Sequence, residues 1–163
     1  MKYRKIIFVD DDDNSRAPMA KIIMKSKFLL NPMDIESRGL VVLFPEPMNQ
    51  KAEAVLISNG YSASDHSARQ LMQEDFGEDV LILTMEGHQK EKIWENFENA
   101  TNVYTLPEFI SLQGELAPVF GEPLKEYGKT YEIIEVLIGG LIVQLNEEKL
   151  LSTPIPGQEA DHE

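Results

Sequence analysis

The apolar run Ile6-Ile7-Phe8-Val9 passes directly into Asp10-Asp11-Asp12-Asp13 and then into Asn14-Ser15-Arg16-Ala17-Pro18-Met19-Ala20. An unbroken apolar run of this length reads as a parallel strand buried on both faces. The stretch from Ala17 reads as a helix with Pro18 near its start, where a missing N–H costs nothing. A buried strand feeding a helix through a short loop restricts the fold to the α/β class. In open α/β sheets such a loop is the ligand crevice, and it offers backbone N–H groups and a helix dipole to an anion. Here the loop carries four carboxylates of its own, the reverse of what that position favours.

The alternation continues. Met19, Ile22, Ile23, Met24 and Phe28 form a helical stripe over 17–28. Asp34-Ile35-Glu36-Ser37 reads as a short second strand, followed by Arg38-Gly39-Leu40, the apolar Val41 to Phe44 and a loop with Pro45 and Pro47. Ala52, Val55, Leu56 and Ile57 mark a helix stopped by Asn59-Gly60, and Ser67 to Leu71 reads as a short helical turn. Val80-Leu81-Ile82-Leu83 is a third buried strand. The segment 87–97 is a helix with Ile93, Trp94 and Phe97, and Val103 to Leu106 is a fourth strand. Residues 122–148 read as one long helix weakened at Gly139-Gly140, at about 1 kcal/mol per glycine. The expectation is a doubly wound sheet of four parallel strands, order 2-1-3-4, with helices on both faces. Residues 1–150 form the domain, and 151–163, with two prolines and three acidic residues, a disordered acidic tail.

Composition narrows the function. The chain has 163 residues, enough for one full core. A net charge of -13 argues against nucleic acid and against anionic membranes as partners. No cysteine is present, so thiolate nucleophiles, thiolate metal sites and disulfides are excluded. Only four apolar residues separate the basic start from Asp10, too few for a signal peptide, and no run reaches membrane-spanning length. A cytoplasmic location is expected.

Several short matches in order resemble the low-molecular-weight protein tyrosine phosphatases, including their bacterial arginine-phosphatase relatives. That family opens with a strand, Cys-x-x-x-x-x-Arg-Ser-Pro-Met-Ala, and a helix; Arg16-Ala17-Pro18-Met19-Ala20 matches its second half. Glu36-Ser37-Arg38-Gly39 is similar to its Glu-Ser-Ala-Gly, and Asp65-His66-Ser67-Ala68-Arg69-Gln70-Leu71 to its Gly-His-x-Ala-Arg-Gln-Leu. Asp79 to Met85 and Thr105 to Phe109 resemble its third and fourth strands. The resemblance covers residues 3–148 and implies the same four-stranded fold.

It also implies a site from which the chemistry has been removed. The cysteine nucleophile's position falls on Asp10, and a carboxylate is a poorer nucleophile toward phosphorus unless a metal or strong donors offset charge repulsion. The rest of the phosphate loop becomes Asp11, Asp12, Asp13, Asn14 and Ser15, and Ala17 replaces the serine after the arginine. The family's leaving-group acid lies in an Asp-Pro pair. The matching stretch Glu115 to Gly121 holds no aspartate, and Pro118 or Ala117 takes its place. Arg16, the phosphate-binding arginine, remains. A phosphate about 5 Å from each carboxylate would meet a repulsion of about 3 kcal/mol per pair at an effective dielectric near 20. The helix dipole offsets only about 0.3–2 kcal/mol. Some aspartates must therefore point outward, or Arg16 must pair with one of them as a clamp. The resemblance implies an inactive phosphatase-like protein with a binding or regulatory role, a phosphoprotein as the class of partner, and no cofactor or resident metal.

A rival reading comes from the same acids. A strand ending in consecutive aspartates also resembles response-regulator receivers and haloacid-dehalogenase-type phosphatases, which hold Mg²⁺ and take phosphate on a carboxylate. A receiver needs an aspartate where Thr84 stands and a lysine after a fifth strand. The dehalogenase pattern needs more than Ser15 and Glu86 supply. Elsewhere plainer readings prevail. His66 caps or packs, His88 and His162 lack ligand spacing, and Glu91, Glu95 and Glu98 form a solvated face. Tyr127 and Tyr131 belong to the core or its rim and Trp94 to the core, while Arg69 either bonds back to the loop or, more plainly, makes a surface ion pair.

Overall fold

The computed structural model describes residues 3–152. Four parallel strands, β1 (Lys5–Asp10), β2 (Asp34–Gly39), β3 (Val80–Thr84) and β4 (Val103–Thr105), form one sheet in the order β2-β1-β3-β4. Five helices connect and cover it: α1 (Arg16–Lys25), α2 (Gln50–Ser58), α3 (Gly87–Asn96), α4 (Leu106–Phe109) and α5 (Leu124–Ser152). The strand order and the two-sided cover agree with the sequence expectation.

The period of two along a strand divides the core. Ile6, Phe8, Leu81 and Leu83 face a large apolar cluster built with α1, α2 and α5. Ile7, Val9, Val80 and Ile82 face a smaller one closed by Leu71, Ile93 and Val103. Both faces of β1 and β3 are thus dry, which is why these strands read as continuous apolar runs. β1 is central, pairing Val9 with Arg38 on one side and with Thr84 on the other. Its carboxyl end opens where the strand order changes direction, the crevice of a doubly wound sheet.

Several local expectations change. β2 runs on through Arg38 and Gly39 instead of ending at Ser37. Residues 67–71 are extended, not helical: Gly39 N–H donates to Arg69 O (2.9 Å) and Leu71 N–H to Gly39 O (2.8 Å). The segment therefore adds a single parallel bridge, Gly39 with Gln70, beside β2. Pairing to an otherwise open strand edge outweighed the weak helical tendency of Ser-Ala-Arg-Gln-Leu. The long helix spans Leu124–Ser152, taking in the first two residues of the expected tail; the remainder, 153–163, lies outside the described residues. Trp94 is not core: it is 53% exposed with Lys90 Nζ 5.2 Å from its ring centroid, while Gln89 and Ile93 carry the buried face of α3. Tyr127 and Tyr131 are buried as expected.

Candidate functional site

The loop from β1 to α1 closes on itself. Asp10 is the last residue of β1 and is buried. Its Oδ1 accepts from Asp13 N–H (2.6 Å) and its Oδ2 from Ala17 N–H (2.9 Å). Ser15, in the capping position of α1, makes no side-chain cap; Asp10 takes one of the helix's free N–H groups instead. Two of the donors that such a loop offers to an anion, the N–H groups of Asp13 and Ala17, are engaged by the loop's own carboxylate. Burial pushes the Asp10 carboxyl up to about 7, against the opposing Ala17 N–H and the charge of Arg16.

Asp13 anchors the loop from beneath. It is buried in the left-handed region (φ 56°), which Asp and Asn tolerate better than most residues. Its Oδ2 accepts from Arg69 N–H (2.9 Å), and its backbone carbonyl accepts from His66 Nε2–H (2.8 Å). Since Nε2 holds the proton, Nδ1 is free to accept from Lys21 Nζ (2.9 Å). Burial pushes His66 and Lys21 down and Asp13 up; for Asp13 the nearby Ser37 hydroxyl and the Arg69 N–H work the other way. Asp13 Oδ1 and Ser37 Oγ are nonetheless both buried without a hydrogen-bond partner of ordinary geometry. Gly39 passes so near that a Cβ there would lie 2.6 Å from the Asp12 carbonyl carbon, so only glycine fits.

Asp11 and Asp12 point outward, as the expected repulsion required. Burial, and then the charge of Asp11, push Asp12 up. Asn14 and Ser15 are half-buried and bond to each other, Ser15 Oγ–H donating to Asn14 Oδ1 (3.3 Å).

Arg16, first residue of α1 and buried, is clamped, but chiefly by a residue outside the loop. Its Nη1 donates to Glu86 Oε2 (2.5 Å) and to Leu116 O (2.6 Å), while Nη2 lies 3.5 Å from Asp11 Oδ2. The expectation of a loop aspartate as main partner is therefore corrected to Glu86. Glu86 stands just beyond β3, at the same sheet edge as β1's end, so it reaches a guanidinium that Asp11, turned to solvent, only touches. Gln89, fully buried, ties the parts together: its Nε2 donates to Asp11 Oδ1 (3.0 Å) and its Oε1 accepts from Met85 and Glu86 N–H.

Pro118, Val119 and Phe120 roof the mouth. Pro118 has no acid to offer, and Phe120 is 86% exposed. The cavity enclosed by Asp10, Asp11, Asp12, Asn14, Ser15, Arg16 and this roof is about 60 Å³. Surface grooves elsewhere reach about 460 and 480 Å³. The mouth is thus largely occupied by its own side chains.

His88 Nε2 lies 3.7 Å from Asp11 Oδ1 and 3.5 Å from Glu86 Oε1, so one ligand atom from each of Asp11, Glu86 and His88 falls within 4.8 Å of the others. Such a set suits a divalent cation in residue type, but Glu86 and Asp11 already face the Arg16 guanidinium, a fixed positive charge. Gln89 and the Leu116 carbonyl were not singled out as site groups by sequence reasoning, and Glu86 entered only as a poor match to the dehalogenase pattern. The only available signal was position: Glu86 follows a buried strand at the crevice edge.

This fold and this loop define the class. The profile described as low molecular weight phosphotyrosine protein phosphatase matches residues 5–151, and the chain belongs to that family. It is 30% identical over 151 residues to a protein-arginine-phosphatase of Geobacillus stearothermophilus, covering 91% of this chain and 100% of that one. It is 31% identical over 134 residues to the low molecular weight protein-tyrosine-phosphatase PtpB of Staphylococcus epidermidis, covering 82% and 94%. Among solved structures, the YwlE arginine phosphatase of G. stearothermophilus superposes with a TM-score of 0.86 at 28% identity, covering 93% of this chain and 99% of that chain. A low molecular weight protein tyrosine phosphatase of T. tengcongensis does so with a TM-score of 0.80 at 33% identity, covering 86% and 99%.

Proposed function

We propose that this family member is a pseudophosphatase: a protein that keeps the phosphatase frame, turns over no phosphoester, and serves a binding or regulatory role in the cytoplasm. In this reading Asp10 stands at the nucleophile's position, Arg16 at the phosphate-binding arginine's, Asp11 to Ser15 along the former phosphate loop, and Pro118 at the lost acid's. One observation carries it: two of the loop's N–H groups and its arginine are already paired within the protein. Asp10 holds the N–H groups of Asp13 and Ala17, and Glu86 and the Leu116 carbonyl hold Arg16. An incoming phosphate would have to displace a carboxylate from each. A partner, a phosphoprotein in keeping with the family, is engaged by the surface around the mouth and not through phosphate seated on Arg16.

The reading is tested by incubating the protein with a chromogenic aryl phosphate in the absence of metal. Background turnover is expected, since loss of a nucleophile costs several orders of magnitude in rate. Turnover that disappears in Arg16→Ala would overturn it.

A second reading has its own observation. The convergence of Asp11, Glu86 and His88 favours Mg²⁺-dependent chemistry or receiver-like Mg²⁺ binding at the acidic loop. It requires Mg²⁺ to sit beside the Arg16 charge, which is why the first reading is preferred. A melting temperature that rises by several degrees with millimolar Mg²⁺, and not in Asp11→Ala, would reverse the preference.

A further inference from the structure

Helix α5 is amphipathic on one side only by burial. Its inner face, with Tyr127, Ile134, Ile138, Leu141 and Leu145, is buried against the body of the protein. The opposite face presents Ile133, Val136 and Val143 at 51%, 70% and 55% exposure, an apolar stripe without a partner among the described residues. A shallow groove runs along it beside Lys129, Glu132 and Leu137. Single exposed apolar residues are ordinary, but a run of them along one helix face marks an interaction surface.

Position decides the partner. Lys129, Ile133, Val136, Gly140, Val143 and Glu147 follow one another at alternating spacings of four and three residues, the seam of a two-helix coiled coil. We propose that this seam joins two copies of the chain, with their α5 helices antiparallel about an axis at Ile138. In that arrangement Ile133 meets Val143 of the second copy, Val136 meets its Gly140, and Lys129 meets its Glu147, so both ends of the seam close on opposite charges. Complementarity to itself in shape and charge together distinguishes a second copy from an unrelated helix. Lys129 lies 3.4 Å from Glu126 of its own chain, so in the pair it would stand between that carboxylate and Glu147 of the second copy.

Gly139 gives an independent sign. It lies in mid-helix, where glycine lowers helix stability relative to alanine, yet a Cβ there would meet nothing within 4 Å. Among the described residues nothing crowds that position. Gly140 differs, since a Cβ would lie 3.2 Å from Ile110 Cδ1. A glycine flanking the seam beside the axis lets two helix backbones approach closely.

Sedimentation equilibrium on the full chain tests the proposal. The unaltered protein should be a dimer in the micromolar to near-millimolar range. Val136→Glu, which buries an unpaired charge in the seam, should weaken association at least about tenfold while leaving the far-ultraviolet circular dichroism unchanged. Lys129→Glu and Glu147→Lys should each weaken it, the second even though it lowers the net negative charge, and the double exchange should restore it. A monomer throughout that range, a dimer indifferent to Val136→Glu, or a double exchange that fails to restore association would overturn the proposal.

Discussion

The two anchors of the β1–α1 loop are built on opposite principles. On the mouth side, Arg16, Glu86, Asp11, Gln89 and the Leu116 carbonyl form a set in which each buried donor has found an acceptor. On the underside, Asp13, Ser37, His66 and Lys21 crowd titratable groups together and leave two buried oxygens without partners. The first set is closed, its buried donors paired within the protein. The second holds the loop's shape at the cost of a desolvated acid. Two kinds of site can thus occupy the two sides of one seven-residue loop, and only the mouth side bears on what the protein binds.

Breaking the closed set should have the larger effect. Arg16→Ala strands the half-buried Glu86 carboxylate and the Leu116 carbonyl, and stability should fall by about 2–4 kcal/mol in denaturant melts. A loss below about 1 kcal/mol would show that water replaces the guanidinium and that the mouth is open. Gly39→Ala, which drives a Cβ into the backbone of Asp12 and Asp13, should cost about 1–3 kcal/mol.

The underside should respond with the other sign. Asp13→Asn keeps a residue suited to the left-handed turn and supplies an N–H₂ for Ser37 Oγ. A gain of about 1 kcal/mol is expected, growing as pH rises. The sign follows from burial: Asp13 is pushed up in the folded state, so its ionisation at higher pH destabilises the native protein, and the amide escapes this. Asp10 behaves alike. With its folded value raised from 3.8 to about 7, the native state holds a proton that the unfolded chain releases. Melting temperature should therefore fall as pH climbs from about 4 through about 7, and Asp10→Asn should flatten that fall. His66, pushed down, contributes the reverse slope as pH drops below its ordinary value of 6.5, so the single variants are needed to separate the two. Trp94→Ala should change stability by less than about 0.5 kcal/mol, because its ring lies on the surface.

The same contrast explains what the sequence disclosed. β1 and β3 announce themselves because both faces are dry, and the order of the short matches from Arg16 to Phe109 fixes the topology. The loop's departure from the family's pattern was legible because its residues are contiguous. The pairing of Arg16 with Glu86 was not, because it spans 70 positions and joins two strand ends that only the sheet brings together. His66 read as a capping or packing residue; its bond to the Asp13 carbonyl needed the left-handed turn at Asp13, which no local pattern marks. Trp94 was misplaced because Ile93 and Trp94 are adjacent, and an adjacent pair cannot both lie on one face of a helix.

The central claim is that the loop is filled from within and takes no phosphate. Isothermal titration of the protein with inorganic phosphate near neutral pH tests it most directly. The structure predicts no saturable binding heat, for the unaltered protein and for Arg16→Ala alike. Saturable binding in the unaltered protein that vanishes in Arg16→Ala would mean that Arg16 leaves Glu86 to hold an anion, and would contradict the claim.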